Sequence, residues 1–209
     1  MKADYAFLET LRDSGALKEG HFLLASGRHS GQYVEKFDLL RNPAATSHAC
    51  AAIAERYAHD AIDVVAGPTT RGVILAFEVA RQLGVSAAFA ERVADGENER
   101  EFRRGTTFPA EARVLVVDDI LTTGGSIRET LAALRGHPIS IVGVAVLVDR
   151  RTQPVDFGVH VVALASMEFE TWDAADCPLC AAGVMLTKPG TTAALGSMAT
   201  PNSDSGTRR

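Results

Sequence analysis

The run VLVVDDILTTGGS at residues 114–126 restricts the possible folds of this chain more than any other feature. Its first four residues, Val114, Leu115, Val116 and Val117, are all apolar, and three of them are β-branched. A strand with one wet face alternates apolar and polar residues. An unbroken run belongs instead to a strand covered on both sides, as inside a parallel sheet layered between helices. Two carboxylates follow directly, and then a stretch of Thr, Gly and Ser. Ser126-x-x-Glu129 has capping-box spacing, Ile127, Leu131 and Leu134 recur at helical intervals, and Gly136 is placed to end the helix. The segment reads strand, turn, helix.

The same alternation runs through the chain. AIDVVAG (61–67), ISIVGVAVLV (139–148) and VHVVALA (159–165) read as further buried strands, and GVILAFEVARQL (72–83) as a mostly buried helix. Near the N-terminus, Tyr5, Leu8 and Leu11 fall on one side of an amphipathic helix. The expected fold class is α/β, a mostly parallel central sheet flanked by helices with right-handed crossovers. Residues 93–107, VADGENEREFRRGTT, read as a polar loop, and residues 191–209, mostly small and polar, as a disordered tail. With 209 residues, 46% of them hydrophobic, the chain can bury one globular core.

The turn after Val117 carries the chemistry. Ligands of open parallel sheets sit at the carboxyl ends of the strands. Gly124 and Gly125 let backbone approach a ligand closely, and the N–H groups that open the next helix, at the positive end of its dipole, suit a phosphate. Thr122, Thr123 and Ser126 add hydroxyl donors. Asp118 and Asp119 repel a phosphate, but they accept hydrogen bonds from sugar hydroxyls or hold a divalent cation through water. A phosphate cradle beside a diol clamp describes a ribose 5-phosphate. No Lys follows the glycines, so this is not a Walker loop, and the spacing is not GxGxxG.

Composition excludes several other partners. The net charge is −5, with acids and bases interspersed, which disfavours nucleic acid and an anionic membrane surface. No stretch is long and apolar enough for a bilayer. Three cysteines, Cys50, Cys177 and Cys180, do not make a disulfide framework, and the cytoplasm is the expected compartment.

These residues carry a resemblance. VLVVDDILTTGGS resembles the phosphoribosyl pyrophosphate (PRPP) signature of the type I phosphoribosyltransferases. LLASGRHSGQYVEK (23–36), VVAGPTTRG (64–72), VDRR (148–151) and CPLCAAGVMLTKPG (177–190) are similar to elements of the orotate-specific branch. The resemblance covers about residues 1–190 and implies a single domain of the type I phosphoribosyltransferase fold. A small hood is expected, formed largely by residues 1–40 and part of the C-terminal segment, with 191–209 outside it. It implies transfer of ribose 5-phosphate from PRPP to orotate, giving orotidine 5′-monophosphate and pyrophosphate in pyrimidine biosynthesis. Mg²⁺ would be held through substrate and waters near Asp118 and Asp119 rather than by direct protein ligation. By the same resemblance Asp118 and Asp119 hold the ribose hydroxyls, residues Ile120, Leu121, Thr122, Thr123, Gly124, Gly125 and Ser126 complete the PRPP loop, and Arg71 and Arg92 meet the pyrophosphate side. Thr122 and Arg150 contact orotate, and Arg150 has its own physical case, because a guanidinium fork pairs bidentately with a carboxylate. A two-fold homodimer with shared active sites is implied as well.

Two segments depart from the pattern. Ala25 stands where a basic residue is usual, and Lys36 and His29 are the nearby bases able to compensate. The mobile loop lacks the usual Lys and His, which leaves Arg100, Arg103 and Arg104 as the expected catalytic cations, acting across the dimer. Cys177 and Cys180 have zinc-ligand spacing. A four-thiolate site would need a second copy from a symmetric partner, and the other reading is a tight turn with two reduced thiols. His48 and His59 read as surface residues and Trp172 as packing. Rival readings are a transferase for another base, against which Arg150 and the SGR element speak, and a PRPP-binding regulator, for which only about 20 residues before that element leave no room for a winged helix.

Overall fold

The computed structural model describes residues 5–94 and 99–189. Its frame is a six-stranded sheet. In chain order the elements are α1 (Tyr5–Asp13), β1 (Leu17–Leu23), β2 (His29–Val34), α2 (Lys36–Leu40), α3 (Pro43–Arg56), β3 (Val64–Pro68), α4 (Arg71–Leu83), β4 (Ser86–Arg92) and β5 (Arg100–Phe102). β6 (Ala112–Leu121), α5 (Gly125–Leu134), β7 (Ile139–Asp149), β8 (Val161–Ser166), β9 (Thr171–Trp172) and the short α6 (Pro178–Ala181) follow. The sheet order is β5-β4-β3-β6-β7-β8, parallel throughout except for β5, which runs antiparallel to β4.

The unbroken apolar run of β6 is explained by two cores, one on each face of the sheet. Leu115 and Val117 join Val65, Ala145 and Leu147 under Phe7, Leu11, Ile53, Leu75 and Val79, so α1, α3 and α4 cover that side. Val114 and Val116 join Val64, Ala66, Val144 and Val146 under Ile127, Leu131 and Leu134 of α5. Successive residues of one strand thus feed opposite cores, and neither face can afford a polar residue. The chain leaves β3 toward β4 on one side and returns to β6 on the other. The strand order therefore reverses between β3 and β6, and a crevice opens beyond their carboxyl ends.

A second, three-stranded sheet, β1-β2-β9, forms a hood. β1 and β2 are a hairpin, and residues 24–28 make its turn, with Leu24 N–H donating to Arg28 O and Gly27 at φ 81°. β9 arrives from the far end of the chain to pair His29 with Trp172 and Ser30 with Thr171. The expected loop over 93–107 is partly corrected: residues 100–102 are strand β5, held by the register Ala90↔Phe102 and Arg92↔Arg100. Propensity missed it because two of its three residues are charged. The tail at 191–209 lies outside the described residues.

Candidate active site

The crevice between β3 and β6 is shaped by a tight backbone contact. A Cβ on Gly67, at the end of β3, would sit 2.2 Å from the carbonyl oxygen of Gly72, and one on Gly72 would meet Pro68 Cδ at 2.5 Å. Only two glycines allow this approach, which folds residues 68–71 sharply and brings Arg71, the first residue of α4, over the end of β6. There its Nε donates to Asp119 Oδ2, and Lys36 Nζ stands 3.9 Å from the same oxygen.

Asp118 and Asp119 are 4% and 2% exposed, so both carboxylates are held away from water. Their hydrogen bonds stay close at hand. Asp118 accepts from Ser126 Oγ at 2.6 Å and from the Asp119 N–H at 2.9 Å, and Asp119 accepts from the Ile120 N–H at 2.8 Å. Burial, and then the adjacent charge of Asp119, push the Asp118 carboxyl up to about 6. Ser126 is therefore a support for Asp118 and not a helix cap, which corrects the capping-box reading. Glu129 is also diverted, to Arg100. α5 opens instead on Gly124 at φ 75°, with no side chain capping its first turn. Its leading N–H groups meet no side-chain acceptor among the described residues, beside the exposed Thr122 and Thr123, which is the arrangement an anion needs. Gly124 is required twice over, because its Cβ would also lie 2.4 Å from Phe157 Cζ.

Arg150 follows β7, and its N–H donates to Leu121 O, so it stands beside the end of β6. Its guanidinium lies over the Phe169 ring at 4.5 Å. Arg150 Nε is buried with no hydrogen-bond partner among the described residues. Burial lowers its pKa from the ordinary arginine value, while the charge of a Tyr33 phenolate would oppose the shift. A desolvated cation with an unmet donor is costly unless an anion completes it.

The comparisons with known proteins agree with this geometry. The phosphoribosyl transferase domain model matches residues 38–175. Among curated proteins, the orotate phosphoribosyltransferase of Pelotomaculum thermopropionicum is 44% identical over 178 residues, 85% of this chain and 92% of that protein. That of Caldanaerobacter subterraneus subsp. tengcongensis is 40% identical over 183 residues, 88% of this chain and 95% of that one. This chain belongs to the orotate phosphoribosyltransferase family. The crystal structure of orotate phosphoribosyltransferase from Aeropyrum pernix superposes with a TM-score of 0.63 at 29% identity, over 76% of this chain and 92% of that chain. A Mycobacterium tuberculosis structure, at 24% identity and a TM-score of 0.65 over 78% of this chain and 95% of that one, shares the fold.

Within this orotate phosphoribosyltransferase-family chain, Asp118, Asp119, Arg71 and the 122–126 loop share one crevice, and Arg150 borders it. The remaining arginines divide. Arg100 is 7% exposed and fully engaged: Nε donates to Glu129 at 2.8 Å, and Nη1 donates to Ala90 O at 3.0 Å and to Thr69 O and Oγ1 at 3.3 and 3.2 Å. It braces the β3–α4 turn from behind. Arg103 pairs with Glu101 and Arg104 with Glu91, both at the surface, and Arg92 is exposed with Nη2 3.8 Å from Glu129. Of the two bases near Ala25, Lys36 does reach the crevice, through Asp119. His29 instead turns into the hood, 3.3 Å from Cys180 Sγ. Arg28, in the hood turn, is taken up by β9, donating to Thr171 O at 2.7 Å and Asp173 at 2.8 Å. Sequence reasoning missed Phe169 and Tyr33 as neighbours of Arg150. In the MEFETW run the sequence singled out only Trp172, as packing, and the pairing of β7 with β8, which sets Asp149 beside Ser166, brings the following residues back to Arg150.

Proposed function

We propose that this chain transfers ribose 5-phosphate from PRPP to orotate, giving orotidine 5′-monophosphate and pyrophosphate in pyrimidine biosynthesis. The observation that carries the orotate assignment is Arg150, a half-buried arginine whose Nε is buried and unmet beside the ribose-phosphate crevice. A base bearing a carboxylate answers that donor, and a neutral purine or uracil does not.

The 5-phosphate sits on the uncapped start of α5, with the hydroxyls of Thr122, Thr123 and Ser126 around it. Asp118 and Asp119 take the ribose hydroxyls. Arg71 and Lys36, already drawn to Asp119, turn toward the pyrophosphate group when it arrives. Orotate lies with its carboxylate on Arg150 and its ring edge at Thr122. Its N1 bonds to the anomeric carbon as the bond from that carbon to the pyrophosphate oxygen breaks, and the N1 proton is given up to solvent. The positive charge gathering on the ribose is stabilised by the two carboxylates, fixed before reaction and therefore at no reorganisation cost.

Phosphoribosyltransferases use Mg²⁺ with PRPP. Asp118 and Asp119 offer hard oxygens suited to it, but no third carboxylate, His or Cys joins them among the described residues. The pair fits an ion that brings most of its ligands with the substrate, and bound there it would neutralise the leaving pyrophosphate.

The chain works as a homodimer, with residues 1–190 forming one domain and Arg103 and Arg104 closing over the neighbouring site. Support for an interface comes from α4, where Ile74 and Phe77 are 40% and 63% exposed beside Pro43 and Leu40. Cys50, Cys177 and Cys180 are all free thiols, in keeping with a reducing cytoplasm.

The test is loss of orotate absorbance with PRPP and Mg²⁺, set against adenine, hypoxanthine and uracil. Turnover of orotate alone is expected. Turnover of a purine in preference to orotate would overturn the base assignment, and turnover of none of them would overturn the transferase reading.

A further inference from the structure

Outside the crevice, the hood contains four metal-binding side chains in one place. His21 and His29, on the two strands of the β1–β2 hairpin, meet Cys177 and Cys180 from the C-terminal segment. One ligand atom from each of the four lies within 4.8 Å of all the others. His21, His29 and Cys177 are buried, and Cys180 closes the outer side.

The spacings fit a small tetrahedral ion. With zinc–nitrogen bonds of about 2.0–2.1 Å and zinc–sulfur bonds of about 2.3 Å, the edges of a tetrahedron are roughly 3.3 Å between nitrogens and roughly 3.5 Å between nitrogen and sulfur. Here His21 Nε2 is 2.9 Å from His29 Nδ1, and three of the four nitrogen–sulfur separations are 3.3, 3.4 and 3.7 Å, the fourth lying within 4.8 Å. The tautomer is also set. His21 Nδ1 lies 2.8 Å from the carbonyl oxygen of Val184, which can only accept, so Nδ1 carries the proton and Nε2 presents its lone pair inward. A ligating histidine whose other nitrogen is fixed by a backbone carbonyl is the usual outer support of a zinc site.

The segment around the cysteines needs such an anchor. α6 spans four residues, and beyond it Val184, Met185 and Leu186 are exposed, Met185 at 84%. Little apolar burial holds residues 184–186 to the hood, and hydrogen bonds tie the segment there, between Thr187 and the backbone of His21 and Leu23 and from His21 Nδ1 to Val184 O.

We propose that His21, His29, Cys177 and Cys180 bind one structural zinc ion that staples the C-terminal segment to the hood hairpin. All four ligands come from one chain, so the second copy that the cysteine pair alone would demand is unnecessary. Binding displaces the two thiol protons, and zinc with two thiolates and two neutral imidazoles is a neutral unit, which suits a mostly buried position. The closed four-ligand set leaves no position for substrate, so the role is structural. The inference is independent of the reaction assigned to the crevice.

The test uses the full chain, expressed without a polyhistidine tag and purified without chelator. Elemental analysis is expected to give about one zinc per chain. Cobalt exchanged into the site is expected to give the visible bands of a tetrahedral ion and a thiolate-to-cobalt charge-transfer band. Cys50→Ala should keep both signals, whereas Cys177→Ser and Cys180→Ser should lose the charge-transfer intensity stepwise. If those variants do not fold, the cobalt spectrum of the unaltered chain decides alone. Folded protein that takes up neither metal would overturn the proposal. So would zinc that persists in the Cys177→Ser/Cys180→Ser double variant, or an intact mass revealing a Cys177–Cys180 disulfide in freshly isolated protein.

Discussion

Replacing Arg150 separates binding from stability. Its Nε is buried with no hydrogen-bond partner among the described residues, and its guanidinium lies over the Phe169 ring at 4.5 Å. In Arg150→Gln the free protein sheds an unsatisfied buried donor, worth about 1–3 kcal/mol, and loses a cation–ring contact worth about 0.5–2 kcal/mol. These terms oppose one another, so thermal stability should stay within a few degrees of the parent. Orotate loses its counter-charge in a desolvated place, at a cost of about 2–5 kcal/mol, which is roughly 30-fold to several thousand-fold in affinity. PRPP, held on β6 and α5, should bind within a few-fold of the parent. Arg150→Lys should fall between, because a point charge replaces the planar fork. Steady-state KM values for both substrates and a melting curve suffice. An unchanged orotate KM in Arg150→Gln would refute the assignment, and a large loss of stability would show that the side chain is a structural prop.

Three further perturbations test the crevice. Because the folded Asp118 carboxyl titrates near 6 while an unfolded one titrates at about 3.9, the folded state holds that proton more tightly, and the stability it contributes at low pH is lost as pH rises between those values. Asp118→Asn should flatten the melting-temperature profile over that window and raise stability at pH above it, while turnover falls at least about a hundredfold, about 2.7 kcal/mol; a variant less stable than the parent at neutral pH would contradict this. Gly124→Ala meets both a left-handed backbone and the Phe157 ring, so urea unfolding should register a loss of roughly 2–4 kcal/mol, and a loss under about 0.5 kcal/mol would show that the turn is more compliant than its geometry. An Arg103→Ala/Arg104→Ala variant mixed with an Asp118→Asn/Asp119→Asn variant should recover activity on subunit exchange if the loop acts across the dimer; no recovery despite proven exchange assigns those arginines to their own acids, Glu101 and Glu91.

The sheet was legible in the sequence because burial writes itself into composition. β6, β7 and β8 each contain a run of apolar residues, and α4 starts one residue before its expected start and ends where expected. Local hydrogen-bond partners were harder to read. Ser126 and Glu129 satisfy the capping spacing, yet each has a stronger tertiary partner, Asp118 and Arg100 respectively. Arg100 read as a mobile cation because its neighbours are charged, whereas pairing with β4 buries it. The two histidines of the hood were unreadable as ligands for a different reason. Each is a lone histidine in a strand, and His21 stands 156 residues from Cys177. The β1–β2 hairpin brings the two histidines together, and the return of β9 to β2 brings the cysteines to them.

That return also sets an order of events during synthesis. Every strand of the six-stranded sheet has been synthesised by Ser166, and contacts between neighbouring strands can form as each emerges. The hood cannot: β1 and β2 are made early and must wait for β9, at Thr171–Trp172, before their third strand exists. Closing so long a loop costs entropy that local pairing does not. The six-stranded sheet and the crevice between β3 and β6 can thus form before the hood is complete, and the pairing of β9 with β2 is what finishes it.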